Sequence, residues 1–300
     1  MTSSVVLACY NGSKYIIEQL ESIRNQTVKP DEVIICDDRS TDNTYEVVAE
    51  YIEKNALSTW KVYENEENIG WKANFVKLIK LASKDIIFLC DQDDVWKTKK
   101  IEIMKGLIVE NPDIKLLVSD LEVVYMSENT QLFKLSNMGK NYYQHIQPKA
   151  KWLRIQRPGC VYAVDREFAQ ECFDKVNNDG IAHDQVLWQY SFVYNKIGYL
   201  RDELVEYRRF EESASNEIIN SKLEYRIHEN KLFLEGLEAI INGCDISDER
   251  IRRTVKRCYC LEKERKKLYQ KKSIISWIKC LRYIGYYPYK RSWLADIIVK

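Results

Sequence analysis

Four times within the first 115 residues a short β-rich run hands over to an amphipathic stretch, and this alternation limits the available folds more than any other feature of the chain. "SVVLACY" precedes "KYIIEQLESIRNQ", "EVIIC" precedes "DNTYEVVAEYIEKN", "KVYEN" precedes "WKANFVKLIKLAS", and "DIIFLC" precedes "KTKKIEIMKGLIVEN". Strands separated by helix-length crossovers pair in parallel and take helices on their faces, so the expected class is α/β. Ile16, Ile17, Leu20 and Ile23 recur at helical spacing and mark the expected buried face of the first helix. Ser40 or Thr41 is the expected N-cap of the second.

From residue 114 the pattern changes. "IKLLVSDLEVVYM", "QLFKLSNM" and "GCVYAVD" read as strands and "DQVLWQYSFVYN" as a helix, a second half of the same domain. From about 213 onward the pattern is helical and increasingly basic, so the expected division is a principal domain over 1–212 and a helical C-terminal region over 213–300. A chain of 300 residues, 45% hydrophobic, supports a sizeable core. Its net charge of +1 conceals an asymmetry: residues 249–300 carry sixteen Lys/Arg against four Asp/Glu, and the remainder is acidic. Nine cysteines without a CxxC, several inside apolar runs (Cys9, Cys36, Cys90), point to reduced thiols in a cytosol. The N-terminus has no basic region ahead of its short apolar stretch and reads as a first strand rather than a signal peptide. No apolar run approaches the ~20 residues of a membrane-spanning helix.

In open α/β sheets ligands bind beyond the carboxyl ends of the strands. The first strand ends in Tyr10-Asn11-Gly12, the second in Asp37-Asp38-Arg39-Ser40 and the fourth in Asp91-Gln92-Asp93-Asp94, so polar or acidic groups crowd three strand ends. Neighbouring carboxylates repel and raise one another's pKa unless a cation neutralises them. "NEENIGWKANF" after the third strand adds Asn68, Gly70 and Asn74, where glycine permits close backbone approach to a ligand. Neither GxGxxG nor GxxxxGK[ST] is present, so phosphate charge would be met by other means, for which a divalent metal on carboxylates suffices.

"VVLACYNGSKYIIEQLESIRNQTVKPDEVIICDDRSTDNT", "ENIGWKANF" and "FLCDQDDVW", in this order, resemble glycosyltransferase family two, in particular the bacterial branch that builds surface polysaccharides and includes many rhamnosyltransferases. The resemblance spans about residues 3–210 and implies a GT-A fold, Rossmann-like, with 1–212 catalytic, a UDP- or dTDP-linked sugar donor, Mn²⁺ or Mg²⁺, and inversion at the anomeric carbon. It assigns Asp38, with Asp37 beside it, to base and ribose, and Ala8, Tyr10 and Asn11 to the same nucleotide pocket. The loop from Asn68 through Gly70 to Asn74 would close over nucleotide and sugar. Asp91-Gln92-Asp93 would be the DXD motif, Asp93 binding the metal, Asp91 the ribose or the metal through water, and Gln92 lying on the donor side. Asp94 is either a further ligand or the N-cap of a helix beginning near Val95.

Asp184, in "GIAHDQVLWQY", resembles the family's general base, and His183 beside it either caps the helix or lines the acceptor pocket. Gly159 and Cys160 of "RPGCVYAVDR" match a segment that shapes the sugar and acceptor pocket; Trp96 and Trp188 are either stacking platforms for sugar rings or core residues. Two positions depart from the family pattern. Arg39 replaces a usual glycine, and Phe210 stands where many relatives have a histidine, which leaves Tyr207, Arg208 or Arg209 to meet the phosphates. The basic, aromatic tail suits an anionic membrane surface, or else a helix packed on the catalytic domain; no nucleic-acid motif accompanies it. The expected partners are therefore a nucleotide sugar, a saccharide acceptor carried on lipid, and the inner membrane face, with room for a homo-oligomer. A nucleotidyltransferase would show a glycine-rich basic signature near the first strand, which "ACYNGSKY" lacks, and a silent binding protein would be expected to lose the DXD or the base.

Overall fold

The structure, a computed structural model, describes all residues except 128–132, 134, 177–179, 211–220, 288, 290, 299 and 300. Nine strands form one mixed sheet: β1 (Ser3–Cys9), β2 (Glu32–Asp37), β3 (Trp60–Glu64), β4 (Ile86–Asp91), β5 (Val95–Trp96), β6 (Leu116–Tyr125), β7 (Tyr143–His145), β8 (Tyr162–Asp165) and β9 (Ile197–Arg209). The order is β3-β2-β1-β4-β8-β6-β9-β5, with β7 also on β9. The helices are α1 (Ile16–Arg24), α2 (Thr44–Lys54), α3 (Trp71–Leu81), α4 (Lys100–Glu110), α5 (Arg166–Lys175), α6 (His183–Val193), α7 (Lys222–Gly243), α8 (Glu249–Lys271), α9 (Ile274–Cys280) and α10 (Arg291–Ile298).

The four alternating units of the N-terminal half form as the pattern dictates. β1 pairs in parallel with β2 on one side and β4 on the other, and these three strands are buried on both faces because helices cover the sheet on either side. β3 closes the edge and is largely exposed. The registers Cys9↔Asp37 and Ala8↔Asp91 bring the acidic ends of β2 and β4 alongside the end of β1. Of the residues expected inward on α1, Ile16, Leu20 and Ile23 are fully buried, but Ile17 is 39% exposed, one step round the helix from that face.

Several expectations fail for identifiable reasons. Neither Ser40 nor Thr41 caps α2, which begins at Thr44; the Ser40 hydroxyl turns back to Asp37. "QLFKLSNM" lies partly outside the described residues, and Phe133 and residues 135–138 belong to no strand. β9 is missing from the sequence reading because "RDELVEYRR" is too charged to look like a strand; it forms because β6 pairs with it on one side and β5 and β7 on the other.

α7 packs on α6, where Gly236 makes room for the Gln185 and Gln189 amides, and α8 lies antiparallel against α7. Phe233, Leu237 and Ile240 of α7 and Ile251, Val255 and Cys258 of α8 belong to the same continuous core as the sheet. Arg154 fixes the junction, ion-pairing with buried Glu262 at 2.7 Å and lying over the Phe233 ring at 3.8 Å. Among the described residues no helix is long and apolar enough to cross a membrane, and the nine cysteines are all free. A shared core predicts cooperative unfolding. Leu237→Ala should cost about 2–5 kcal/mol in urea denaturation and lower a single transition common to sheet and helices; two separated transitions would show that the helical region folds independently.

Candidate active site

The ends of β1, β2 and β4 are laced together before any ligand arrives. Asn11, held at φ +49°, accepts the Thr41 amide at 2.8 Å through Oδ1, and its own amide donates to Ser40 Oγ at 2.9 Å. Gln92 spans from β4 to β1: Oε1 accepts the Tyr10 amide at 2.9 Å and Nε2 donates to the Tyr10 carbonyl at 3.0 Å. A Cβ on Gly12 would stand 2.2 Å from Gln92 Oε1, so glycine is required there by close approach. Both ends of the Gln92 amide are thus engaged within the protein, and Gln92 clasps two loops instead of facing the donor.

Asp37 is likewise used internally. Fully buried, it accepts the Ser40 amide at 2.8 Å and the Ser40 hydroxyl at 2.5 Å. Arg39 sits in that turn at φ +62°, the left-handed conformation that favours glycine, and its guanidinium pairs with Glu64 at 2.8 Å. Asp38 accepts from Asn65 Nδ2 at 2.7 Å and the Ile69 amide at 2.9 Å, and so holds the loop ahead of α3. Asn74 is no loop residue: it is fully buried in α3 and donates to the Cys36 carbonyl at 2.9 Å. Gly70 has open space where a Cβ would stand, and its φ of +81° is the reason for glycine, with the Asn68 side chain accepting its amide. Tyr10, Asn11 and Asn68 are exposed around this corner, and Ala8 is half-buried beneath them.

The acidic turn after β4 is short of positive charge. Asp94 is fully buried, its Oδ1 accepting the Arg208 amide at 3.1 Å and its Oδ2 without a hydrogen-bond partner. It caps no helix, because Val95–Trp96 is a strand on β9 and α4 starts at Lys100. Burial, and then the charges of Asp93 and Asp184, push Asp91 up to about 7; burial also raises Asp93, and burial with the Asp91 and Asp93 charges raises Asp94 well above the carboxylate range. Lys100, fully buried, stands behind the cluster with Nζ 2.6 Å from the Cys160 carbonyl and 3.7 Å from the Trp96 ring centre, and burial lowers it to about 8. Nothing in "KTKKIEIM" distinguishes this lysine from its solvated neighbours. Arg208 donates from Nε to the Asp93 carbonyl and pairs with Glu18, and the Phe210 ring packs on Tyr15, tilted by 37° with ring centres 4.2 Å apart. Phe210 offers no ligand atom in place of a histidine.

Asp91, Asp94 and Cys160 each bring one donor atom within 4.8 Å of the others. Cys160 and Asp94 are covered, and burial first, then the carboxylates, push the Cys160 thiol well up. Asp91 and Asp93 keep solvent access. Asp91 and Asp93 are oxygen donors of the kind a hard dication takes, and the mutual repulsion that helps raise Asp91 is what such an ion would relieve.

A cleft of about 1140 Å³ lies beside this turn, its walls contributed by Trp71, Lys72, Trp152, Asp184, Gln185 and, from α7, Tyr225 and His228. Burial pushes Asp184 up to about 6, against the opposing effect of the Gln185 and Gly159 amides. Of the four residues read as acceptor pocket, Trp96, Cys160 and His183 are buried and do not line this cleft, and Gly159 packs against Asp184. Trp96 is 2% exposed beneath Lys100, and Cys160 is behind Asp94. His183 is buried, stacked on Phe75 at 3.9 Å and pushed down to about 3 by burial, so it is neutral and inaccessible. Gly159 is needed because a Cβ would lie 2.7 Å from His183 Nε2 and 3.2 Å from Asp184 Cβ. Trp188 is core, donating its indole N–H to the Trp152 carbonyl at 2.7 Å. The cleft wall from α7 carries no sequence signal, because it lies more than 35 residues beyond Asp184 in a stretch with only helical periodicity.

The glycosyl transferase family 2 profile matches residues 4–172. The dTDP-rhamnosyl transferase RfbG of Shigella flexneri is 28% identical over 252 residues, 79% of this chain and 84% of that protein. The Escherichia coli UDP-Glc:alpha-D-GlcNAc-diphosphoundecaprenol beta-1,3-glucosyltransferase WfgD is 29% identical over 121 residues, 40% of this chain and 46% of that one. Uncharacterized glycosyltransferases of Methanocaldococcus jannaschii and Mycoplasma pneumoniae are matched over about half of their length. Among solved structures, S. aureus TarS 1-349 in complex with UDP-GlcNAc gives a TM-score of 0.65 at 18% identity, covering 99% of this chain and 82% of that one. The mannosyltransferase PcManGT of Pyrobaculum calidifontis with GDP-Man and Mn²⁺ gives 0.56 at 14%, covering 99% and 84%. The fold is GT-A, with a helical C-terminal region.

The raised carboxylates fix a pH dependence. Asp91 has an ordinary value of 3.8 and a folded value of about 7, so between the two the folded protein keeps a proton that the unfolded chain has released. Its ionisation therefore destabilises the fold as pH rises through that window, by at most about 1.4 kcal/mol per pH unit. Relative to Asp91→Asn, the wild type should lose stability from about pH 4 to about pH 7 in thermal melts without metal. Mn²⁺ should restore more of it at about pH 8 than at about pH 5; an equal Mn²⁺ effect in Asp91→Asn would remove Asp91 from the metal site.

Proposed function

Because the chain belongs to glycosyl transferase family 2, we propose that it is an inverting glycosyltransferase that moves a sugar from dTDP-rhamnose or a UDP-hexose to a lipid-linked saccharide in cell-surface polysaccharide synthesis, O-antigen or capsule. The observation that carries this reading is Asp184 at the rim of the 1140 Å³ cleft with a pKa near 6, its charge reaching Asp91 in the acidic turn. The relative RfbG, matched over most of its length, supports the rhamnosyl choice, and WfgD supports a lipid diphosphate acceptor. In this reading residues 1–212 carry the chemistry, 213–300 buttress it, and the enzyme works in the cytoplasm, at the inner membrane face where such an acceptor resides.

Tyr10, Asn11 and Asn68, with Ala8 beneath and Asp38 holding the loop before Gly70, would wall the nucleotide. Asp93 and Asp91 would hold Mn²⁺ or Mg²⁺, which when bound neutralises the diphosphate leaving group. Arg208 and Arg209 both draw the Asp93 pKa downward, and so bring positive charge to the same edge. The Asp184 carboxylate, ionised at neutral pH yet more basic than an ordinary aspartate, takes the acceptor hydroxyl proton. The hydroxyl oxygen then bonds to the anomeric carbon as the bond from that carbon to the diphosphate breaks on the opposite face. Trp71 at the cleft mouth, 45% exposed, and Lys72, whose Nζ donates to the Gly180 carbonyl at 2.9 Å, border the place where acceptor would lie.

Asp184→Asn keeps the volume and loses the proton acceptor, so kcat should fall about 10²- to 10⁴-fold with donor affinity little changed. Loss of donor binding with kcat intact would make Asp184 a structural residue. Asp93→Ala should abolish turnover of the preferred nucleotide sugar, found by a hydrolysis panel with Mn²⁺, while the circular dichroism spectrum is kept. Full activity in that variant, or in EDTA, would exclude the metal role.

A further inference from the structure

The C-terminal helices present an apolar face that no other described residue covers. On α9, Ile274, Ile275 and Ile278 are 62%, 67% and 54% exposed, and on α10, Leu294 and Ile298 are 54% and 75% exposed. Lone exposed leucines are ordinary, but five large aliphatic side chains on two short packed helices are a patch. The patch is rigidly built. Trp277 and Trp293 stack with ring centres 4.2 Å apart and planes 9° from parallel, and each indole N–H donates to the other's carbonyl, at 2.9 and 3.0 Å.

Its charge is one-sided. Between residues 271 and 300 there are seven Lys/Arg and a single acid, Asp296. That acid is fully buried, where it pairs with Arg226 and Arg265 and accepts the Tyr269 and Tyr287 hydroxyls at 2.6 and 2.9 Å. Lys271, Lys272, Lys279, Arg282 and Arg291 are exposed. Glu264 of α8, the acid that reaches α9, is mostly covered and paired with Lys267 at 2.8 Å. α9 and α10 themselves offer aliphatic side chains and positive charge with no exposed carboxylate among their described residues, a composition that complements an anionic lipid surface: apolar groups enter the acyl boundary while ammonium and guanidinium groups stay among the headgroups.

We propose that α9 and α10 are the docking surface through which this protein binds an anionic bilayer. The inference names the surface for the membrane placement in the reading above and rests on it, but binding is read without turnover, so transfer chemistry and docking fail separately. α8 belongs to the core, so deleting the tail would unmake the fold, and exposed side chains are the proper probes.

The experiment is co-sedimentation of the full chain with vesicles of phosphatidylglycerol and phosphatidylcholine, against vesicles of phosphatidylcholine alone, with donor hydrolysis measured in parallel. Wild type should bind the mixed vesicles at low salt, and weaken as salt shortens the Debye length to about 8 Å and below. The triple variant Ile275→Ser/Ile278→Ser/Leu294→Ser should bind at least about tenfold less while hydrolysing donor as before, and Lys279→Glu/Arg282→Glu should lose binding without change in hydrolysis. The proposal is overturned by absence of binding at low salt, by equal binding to phosphatidylcholine alone, or by undiminished binding of the triple variant. It is equally overturned if wild type ignores vesicles and sediments as a dimer that the triple variant abolishes, since the occupant is then a second copy.

Discussion

Three aspartates at the end of one buried strand repel each other, and the middle of the molecule is arranged around that repulsion. Asp94 faces inward with an unpaired oxygen, Asp91 is held only partly ionised near neutral pH, and Asp93 stands at the rim. The protein meets part of the charge with its own groups: Lys100 lies buried behind the turn, and Arg208 donates its backbone N–H to Asp94 and its side chain to the Asp93 carbonyl. A buried lysine and a mostly buried arginine are costly to desolvate, and the acids make them tolerable as they make the acids tolerable. What is left over is a deficit of positive charge on the solvent side, where Asp91 and Asp93 keep access.

The same turn explains why so many polar residues nearby face inward. Loops at the ends of β1, β2 and β4 would splay if their amides were satisfied only by water; Gln92, Asp38 and Asn11 each accept or donate across to a neighbouring loop, and Asp37 closes its own turn through Ser40. A rigid rim is what a site for a flexible, highly charged ligand requires, because ordering entropy is then met in folding and not in binding. On the far side of Asp184, α7 completes a cleft that the sheet alone leaves open, and it is held there by the shared core and by Arg154 between Phe233 and Glu262.

Alternating apolar runs and amphipathic stretches were enough to read the parallel half of the sheet, the placement of its carboxyl ends and the acids gathered there, because parallel strands must cross over through helices and ligands collect where the crossovers begin. The motifs added the family. Side-chain roles were less legible. Gln92 sits inside a motif of ligand-type residues yet serves as a clasp, and Trp96, Cys160 and His183 lie in matching segments yet point into the core. β9 was hidden by its charges, which are accommodated because Arg201 and Glu203 lie in its exposed middle while buried Arg208 near its end pairs with Glu18 and donates to the Asp93 carbonyl.

Sequence by itself determined the α/β class, the order of the first four strands' motifs and the acidic strand ends, since these depend on periodicity and composition within a few residues. Only the tertiary structure decided that Lys100 of three neighbouring lysines is the buried one, that α7 and α8 share the core of the sheet, and that the isoleucines of α9 have no cover among the described residues. The physical reason is common to all three. A local pattern states which face of an element is apolar or charged, but whether that face meets a partner or water depends on residues far away in the chain.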